Sequence, residues 1–527
     1  MKLKKFFACF LAVALSLGIV ACRKMPGETS SSLNGGGEAG KEKDTVTLIY
    51  SAADTFNPYT VKTDTNRQLC KLLYEPLVKL DNEFNPVYAV AQSVETKGLT
   101  CTVTLKDIVF SDGSALTADD VVYSAKLALG SETSYAAKLY EVKSVKASNA
   151  KTVVFSLKKA DPYFVNILDF PIIKAKSETV TDSDSVLQPP VGSGRYKVSA
   201  DRQYLEQNGM YYGETGNIKR VRLINAPDTE SVSHYVEIGA ADIYYSDMAD
   251  GKIIRMSGSK LNINLNNMVY IGVNKNYGEL EQNALRQAIS AGIDREKICR
   301  NAYYNNALPA TGFFSPVWEP TKAVQNLQIN ANKEITVENL DKIGYNRLDG
   351  SGKRTNARGR QLRFSLLVNS ENRIRAAAAQ LIAEQLSEYG ITVTVVEKRY
   401  ADYIKALNEG DFQLFLGEIR LTENMDISPL VLEDGAAAYG LKKPDKDKKT
   451  DKAEAEAELL NKSAVVTKGL YEGKNTVADV ASVLQTEMPF IPVCYRTGVL
   501  FYSDNIENVN NSSASDIYFS IESYILG

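Results

Sequence analysis

The chain has 527 residues, of which 44% are hydrophobic and 24% charged, and its formal net charge is −3. This is the composition of a globular protein long enough for about three domains, and it lacks the basic surplus typical of nucleic-acid-binding proteins. The sequence contains one histidine, His234, in the helix-like run DTESVSHYVEIGAAD. Because hydrolytic triads and most catalytic zinc sites need an imidazole, we expect no catalytic residues, no metal site and no cofactor.

The N-terminus predicts export. Three lysines within the first five residues precede an apolar run over residues 6–20, which is too short for a membrane-spanning helix. The run is followed by Ala-Cys22 in the order Ile-Val-Ala-Cys, which resembles a bacterial lipobox and implies cleavage before Cys22 and lipid on the new N-terminus. An ordinary signal peptide with an incidental cysteine is the alternative. We therefore expect a signal peptide over residues 1–21, a flexible tether over residues 22–44 and a lipoprotein anchored to the outer side of the cell membrane.

A first strand is predicted over residues 46–52, and the stretch 103–129, VTLKDIVFSDGSALTADDVVYSAKLAL, predicts a strand, a turn and a helix. The glycine of Asp112-Gly113 suits a turn. Thr117 occupies the N-cap position, and Asp120, three residues later, closes a capping box. Turn and cap chemistry therefore explains these acidic residues without a catalytic role.

Other segments are interpreted from their alternation and their turn residues. Strands over residues 100–105 and 152–157 are expected to pair antiparallel. Gly192-Ser193-Gly194 is interpreted as a turn into a strand over residues 195–198, since no Gly-Lys-Ser/Thr motif and no helix supports a phosphate loop. The four cysteines after Cys22 are widely spaced and form no CxxC motif, so their disulfide state stays open.

Residues 362–417 alternate between strand and helix patterns, and Gly390 is placed to end the first helix. This β-α-β-α-β order predicts a mostly parallel sheet covered by helices. The charged stretch 442–458 has no apolar face and is interpreted as a solvated linker. The expected strands are 362–368, 391–396 and 412–417, and the expected helices are 371–389 and 400–409.

Several segments, taken in order, resemble the signature of the bacterial extracellular solute-binding proteins of family 5, the binding components of oligopeptide, dipeptide and nickel ABC importers. The segments are LYEPLVKLD at 73–81, FSDGSALTADDVVYS at 110–124, PPVGSGRY at 189–196, RQAISAGIDR at 286–295 and MPFIPV at 488–493. The resemblance implies an α/β, two-lobed periplasmic-binding-protein-like fold of the class II type, with a hinge and an extra satellite domain. The implied domains are lobe I from 45–60, 187–272 and 490–527, the satellite domain of lobe I from 61–186, and lobe II, the third domain, from 273–489.

By the same resemblance, the protein captures a small solute in the cleft between its lobes and delivers it to an ABC permease in the membrane. A peptide is the favoured ligand, because an extended peptide backbone pairs with a strand edge whatever its sequence. A nickel chelate or another small solute and a surface peptide sensor are the alternatives, and an exported hydrolase is less favoured. We expect a monomer without bound nucleic acid.

The resemblance also directs attention to the loop expected after the strand 412–417, which in this family supplies an acidic residue that holds a peptide's amino terminus. The matching stretch, GEIRLTENMD, lacks the family's usual aromatic residue and Asp-Pro pair. Asp426 is the first candidate and Glu418 the second, with Arg420 able to meet an anionic group through two hydrogen bonds. The ligand contacts expected across the cleft are Ser51, Asp54, Tyr244 and Tyr245.

Overall fold

The computed structural model of the protein describes residues 44–183, 185–249, 251, 256–324, 327–440 and 461–527. The predicted signal peptide, Cys22 and the charged stretch 442–458 lie outside the described residues. The described part is a mixed α/β fold with two four-stranded sheets and one seven-stranded sheet. Within it, every helix is too short or too polar to cross a membrane.

The strands are numbered here in chain order. They are β1 Thr45–Tyr50, β2 Val78–Leu80, β3 Pro86–Tyr88, β4 Ala91–Lys97, β5 Thr100–Leu105, β6 Val142–Asn149, β7 Thr152–Leu157, β8 Tyr196–Val198, β9 Tyr204–Gln207, β10 Arg220–Asn225, β11 Ile243–Ser246, β12 Ser259–Val273, β13 Ala307–Pro309, β14 Arg347–Leu348, β15 Arg354–Thr355, β16 Arg363–Asn369, β17 Thr392–Lys398, β18 Leu414–Arg420, β19 Phe490–Tyr502, β20 Ile506–Glu507 and β21 Ile525–Leu526.

The α-helices are numbered in the same way. They are α1 Asp64–Leu73, α2 Ala118–Gly130, α3 Ser134–Lys138, α4 Thr229–Glu237, α5 Asn283–Ala291, α6 Arg295–Asn301, α7 Glu319–Lys322, α8 Lys333–Lys342, α9 Arg373–Glu388, α10 Tyr400–Glu409, α11 Ser428–Val431, α12 Lys462–Tyr471 and α13 Val477–Glu487.

The first sheet has the strand order β1-β10-β9-β8, with β1 and β10 parallel. The turn that leads into β8 packs against the end of α1. A Cβ added at Gly192 would lie 2.1 Å from the Leu73 carbonyl oxygen, and one added at Gly194 would lie 2.4 Å from the Leu72 carbonyl oxygen. The Gly-Ser-Gly segment is therefore a close backbone approach that fixes the C-terminal end of α1.

The second sheet, with the order β4-β5-β7-β6, is antiparallel throughout. It confirms the predicted pairing of the strands 100–105 and 152–157. It also confirms the strand-turn-helix prediction: Gly113 has a φ of +82°, and the Thr117 backbone N–H and hydroxyl both donate to Asp120 Oδ2, at 2.9 and 2.8 Å. Helix α2 then buries Val121, Ala125 and Ala128.

The third sheet has the order β11-β19-β12-β18-β16-β17, and β13 also pairs with β19. Only the pairs β16–β17 and β16–β18 are parallel, whereas β11, β12, β13 and β19 pair antiparallel. The prediction of a mostly parallel sheet is therefore wrong for the sheet as a whole. The local β-α-β-α-β pattern revealed its three parallel strands, but the antiparallel strands come from distant parts of the chain, which a local pattern does not show.

The domain boundaries stay a prediction. Strands β11, β12 and β19 come from segments predicted for lobe I, yet they share the third sheet with β16–β18 from the segment predicted for lobe II.

The four cysteines whose disulfide state the sequence left open are all buried free thiols in the structure: Cys70, Cys101, Cys299 and Cys494.

Candidate functional site

A cleft with a volume of about 370 Å³ lies between strands of the first sheet and strands of the third sheet. Its walls come from β1 and α1, from α3, from β11, β12 and β18, and from the C-terminal segment around Tyr518. The volume is near the lower end of the range for pockets that enclose small ligands. The cleft is therefore large enough for a short ligand that contacts several elements at once.

Lys71, on α1, lines the cleft as a cation without an ion pair among the described residues. Its Nζ lies 3.4 Å from the Tyr135 hydroxyl oxygen and 5.8 Å from the centre of that ring. Burial lowers the pKa of Lys71, but Tyr135 and Asp169 raise it more, so the net shift is upward. The side chain is accordingly an ammonium at neutral pH.

Arg420, at the end of β18, is the second such cation. Strand β18 continues past its predicted end because Glu418 pairs with Val269 and Arg420 with Asn267 of β12. Glu418 and Arg420 therefore lie on a strand and not in the loop that was expected. Arg420 is exposed in the cleft, and it too has no ion pair within the part of the chain that the structure describes.

Lys138, on α3, is a third cation in the cleft, but carboxylates neutralise it. Its Nζ lies 2.7 Å from Asp169 Oδ2 and 3.0 Å from Glu423 Oε2. Burial raises the pKa of Asp169, but Lys138, Lys71 and Arg420 outweigh burial and the net shift is downward. Both Lys71 and Arg420 therefore lie within electrostatic reach of this one carboxylate.

The opposite charge is also present in the cleft. Glu132 and Asp247 line it, and neither forms an ion pair among the described residues. One Asp247 carboxylate oxygen accepts a hydrogen bond from the Ala249 backbone N–H at 2.9 Å. The cleft thus offers carboxylates for a ligand cation as well as cations for a ligand anion.

Tyr244 and Tyr245, on β11, form part of the cleft wall. Tyr245 is placed against Gly498 of β19, where an added Cβ would lie 2.6 Å from the Tyr245 hydroxyl oxygen and 2.7 Å from Cε2. Burial raises the pKa of Tyr245, so its hydroxyl is protonated at neutral pH. Glycine at position 498 therefore makes room for the tyrosine ring.

The structure brings together three of the seven predicted ligand contacts: Arg420, Tyr244 and Tyr245 line the cleft. Asp426, Glu418, Ser51 and Asp54 are not among its lining residues, and their contacts lie elsewhere.

Glu418 is held between two arginines. Its carboxylate lies 2.5 Å from Arg375 Nη2 and 2.7 Å from Arg496 Nε, and the Asn267 side-chain amide donates to it at 2.9 Å. Burial raises the pKa of Glu418, but Arg496 and Arg375 outweigh burial and lower it. Two protein cations therefore already neutralise this carboxylate.

Asp426 belongs to a row of contacts between residues 423–426 and residues 138–166, which we term the clasp. Its Oδ2 lies 3.1 Å from Lys159 Nζ. Next to it, the Asn424 side-chain amide donates to Asp161 at 2.7 Å, and the Asn166 amide donates to the Glu423 carbonyl oxygen at 3.2 Å. The clasp joins the loop after β18 to residues near the second sheet, and one of its members, Lys138, lines the cleft.

Ser51 and Asp54 support the backbone after β1. The Ser51 backbone N–H donates to the buried Asn66 side chain at 2.8 Å. Asp54 accepts hydrogen bonds from the backbone N–H and the hydroxyl of Thr63, each at 2.6 Å. Both residues therefore fix the start of α1, the helix that carries Lys71.

Sequence reasoning missed Lys71 and Asp247. A signal for Lys71 was present, because it interrupts the apolar run Leu69-Cys70-Lys71-Leu72-Leu73, four of whose members are buried. A cation at such a position is costly unless it meets an anion. Asp247 gave no comparable signal, since it lies just after the end of β11 and interrupts no apolar run.

No group of three or more histidine, cysteine or acidic side chains is placed to hold a metal ion among the described residues. His234 lies on α4 as expected, where it is exposed and next to Tyr235. It does not line the cleft.

Comparison with known proteins shows which families and structures this chain resembles. The family model of the bacterial extracellular solute-binding proteins, family 5 Middle, matches residues 83–427. The oligopeptide-binding protein AppA of Bacillus subtilis is 26% identical over 430 residues, which cover 77% of this chain and 79% of AppA. The oligopeptide-binding protein OppA of the same organism is 21% identical, with 98% of each chain covered. Among solved structures, a nickel ABC transporter protein from Bacillus halodurans has a TM-score of 0.70 and 17% identity, with 92% of this chain and 100% of that chain covered.

The fold is that of a two-lobed periplasmic-binding-protein-like protein. The chain belongs to family 5 of the bacterial extracellular solute-binding proteins. This family consists of substrate-binding proteins of ABC importers and not of enzymes.

Proposed function

We propose that this protein captures a short peptide in the 370 Å³ cleft and delivers it to an ABC permease. The observation that carries the proposal is the presence of unpaired charges of both signs on the cleft wall. A peptide is a zwitterion, so its two ends match the two kinds of charge. The match to oligopeptide-binding relatives supports the same ligand class.

The ligand contacts proposed for the cleft are Arg420, Tyr244 and Tyr245 from the sequence, together with Lys71 and Asp247. Asp247 takes the role of amine acceptor that the sequence suggested for Asp426 or Glu418, because those two carboxylates already have cationic partners. Asp426 then contributes to closure through the clasp, and Ser51 and Asp54 hold α1 in place.

A nickel chelate is the second candidate, because a structural neighbour is a nickel transporter protein. The cleft favours the peptide, since its lining contains no histidine or cysteine and such ligands suit nickel best. A surface peptide sensor would use the same cleft. Loss of peptide uptake on deletion of the gene separates the transporter from the sensor.

We further propose that the protein is not an enzyme. Its one histidine is exposed on α4, away from the cleft, so no nucleophile is paired with a base there. Peptide or ester hydrolysis that survives repurification and disappears in His234→Ala would contradict this.

The mature protein is proposed to be a monomer that lipid on Cys22 holds to the membrane. We therefore expect Cys22→Ser to release the protein from membranes. Soluble, unacylated wild-type protein would contradict the lipid anchor.

Domain boundaries at 45–60, 61–186, 187–272, 273–489 and 490–527 remain part of the proposal. In this division the first sheet lies within lobe I, the second sheet lies within the satellite domain, and strands β16–β18 lie within lobe II.

Native mass spectrometry of the purified protein tests the ligand. We expect retained species with the masses of short peptides, which dissociate on mild unfolding and raise the melting temperature when they are added back. Retained nickel with a chelator would favour the second candidate. A protein that retains nothing, and that neither peptides nor nickel chelates stabilise, would contradict both.

A further inference from the structure

A second, much smaller cavity lies apart from the cleft, and we term it the α9 cavity. Its volume is about 10 Å³, and its walls come from the N-terminus of α9, from β18 and β19, and from the segments that follow α6 and β11. That volume is about one water-sized sphere, so the cavity holds one water molecule or one monatomic ion and no part of a peptide. It shares no lining residue with the cleft.

Three polar side chains that line the α9 cavity each have a buried atom without a hydrogen-bond partner among the described residues. These atoms are the hydroxyl oxygens of Tyr303 and Thr497 and the Nε of Arg375. Tyr303 is 4% exposed and Thr497 is 1% exposed. The thiol of Cys494 lies beside the Tyr303 hydroxyl, but a thiol is only a weak hydrogen-bonding group. Since a buried polar group without a partner is costly, three of them around one cavity indicate a bound species.

The charges around the cavity indicate what that species is. Arg375 and Arg496 both contact Glu418, at 2.5 and 2.7 Å, and they use one carboxylate oxygen each. Two cations and one carboxylate therefore line the cavity, which leaves one positive charge in excess. Asp247 also acts on Arg496, but it lines the cleft and not this cavity. A negative ion in the cavity would balance the excess.

The N-terminus of α9 adds to this positive potential. Helix α9 is 16 residues long, and its N-cap Asn372 and its second residue, Ile374, both line the cavity. The Asn372 side chain caps the helix by accepting from the Arg375 backbone N–H at 2.9 Å. The first N–H groups of a helix have no partner within the helix, and its dipole makes this end partly positive. Anions are therefore favoured at this end of α9.

We propose that the α9 cavity binds a single chloride ion, which accepts hydrogen bonds from Arg375 Nε and from the hydroxyls of Tyr303 and Thr497. A water molecule could satisfy the same three groups, but it would leave the excess positive charge without a counter-ion. The ion has a structural role, because Arg496 also donates from Nη1 to the Asp247 backbone carbonyl at 2.5 Å. The site thus supports the cleft wall from behind and takes no part in ligand contact.

Thermal unfolding in sodium chloride and in sodium gluconate at equal ionic strength tests the site. We expect a saturable rise in melting temperature with chloride, which gluconate, too large for the cavity, does not give. Tyr303→Phe and Thr497→Val each remove one hydroxyl and should raise the half-saturating chloride concentration at least about tenfold. The control Thr467→Val also removes a buried hydroxyl without a partner, but one outside the cavity. It should leave that concentration unchanged.

Equal melting temperatures in the two salts would overturn the inference and leave the cavity to water. A chloride effect that both cavity variants keep would place the ion elsewhere and would also overturn it. Crystals of the wild type grown in bromide give a second measurement, which needs no variant to fold. We expect an anomalous peak between Arg375, Tyr303 and Thr497, and its absence would contradict the site. None of these results depends on whether the cleft retains a peptide, so the two proposals fail separately.

Discussion

Two groups of charged side chains lie close together in this molecule, and they differ in burial and in their ion-pair partners. In the first, which we term the Asp516 network, Lys79 contacts Glu75 at 2.9 Å and Asp516 at 3.2 Å, and Arg195 contacts Asp516 at 3.0 Å. In the second, the cleft, Lys71 and Arg420 have no ion-paired carboxylate among the described residues. Each charged side chain of the Asp516 network therefore has an ion-pair partner, whereas the two cleft cations have none among the described residues.

The two groups also differ in where their residues lie relative to the family motifs of the sequence. Glu75 and Lys79 lie in LYEPLVKLD, and Arg195 directly follows the Gly-Ser-Gly segment in PPVGSGRY, so three of the four charged residues of the network lie in motifs that carry the family resemblance. Lys71 lies outside those motifs, and Arg420 lies in the stretch that departs from the family pattern. Several charges of the Asp516 network thus lie in motifs that carry the family resemblance, whereas the two cleft cations lie outside them.

The largest expected effect is the loss of an anion from the Asp516 network. Burial raises the pKa of Asp516, but Lys79 and Arg195 outweigh burial and lower it to about 2. Asp516→Asn leaves Lys79 and Arg195 short of a carboxylate and should lower the free energy of unfolding by about 3–5 kcal/mol. Denaturant unfolding measures this loss.

The control is Glu338→Gln, which breaks the exposed pair with Lys342 at 2.8 Å and should cost less than about 1 kcal/mol. Equal costs for the two variants would mean that burial does not distinguish the network from a surface ion pair.

A second effect is a pH dependence of stability at the clasp. There the buried carboxylate of Asp161 accepts a hydrogen bond from the Asn424 amide and has no cation at ion-pair distance among the described residues. Burial raises the pKa of Asp161 from 3.8 to about 6, although hydrogen bonds from Asn424 and the Tyr163 backbone lower it. Asp426 and Lys159 also face it and act in opposite directions. The folded state thus binds this proton more tightly than the unfolded state does. The stability that Asp161 contributes is present below about pH 4 and is lost as pH rises through 6, by about 3 kcal/mol in total.

Asp161→Asn removes this titration. The difference in unfolding free energy between wild type and Asp161→Asn should therefore change by about 2–2.5 kcal/mol between pH 4 and pH 7, with the wild type relatively more stable at pH 4. Urea unfolding at both pH values measures it. A difference that is the same at the two pH values would show that Asp161 titrates normally.

A smaller change in stability is expected at the cleft wall. In Gly498→Ala the new methyl group would meet the Tyr245 ring at less than 3 Å, and the ring yields by turning within the cleft. The cost should be about 1–2 kcal/mol, while the affinity for a retained peptide falls more than stability does. Calorimetry and thermal unfolding of the same variant separate the two. Unchanged affinity would place Tyr245 outside the ligand contacts.

The smallest effect concerns the scaffold far from the cleft. Thr117→Ala removes the hydroxyl that donates to Asp120 at the start of α2 and should cost about 1 kcal/mol. Ligand affinity should barely change. A large loss of affinity at an unchanged melting temperature would instead assign this motif to the binding site.

Local chemistry predicted much of the fold. The Thr117 cap, the Gly390 stop and the helix 400–409 follow from caps, glycine and periodicity, which act over a few residues. The mixed third sheet was missed because β12 and β19 join it from positions far apart in the chain.

The site was harder to predict for the same reason. Arg420, Tyr244 and Tyr245 line the cleft as the sequence suggested. However, a carboxylate such as Glu418 shows in the sequence only its charge, and not the two arginines that neutralise it from α9 and β19. Whether a charged residue awaits a ligand depends on partners that only the folded chain brings together.

The most direct test of peptide capture is a crystal structure of the protein saturated with a tripeptide that native mass spectrometry shows to be retained. We predict electron density for the peptide in the 370 Å³ cleft, in contact with Tyr245 and with its carboxylate between Lys71 and Arg420. Density for the peptide at another surface, with the cleft unoccupied, would contradict the account.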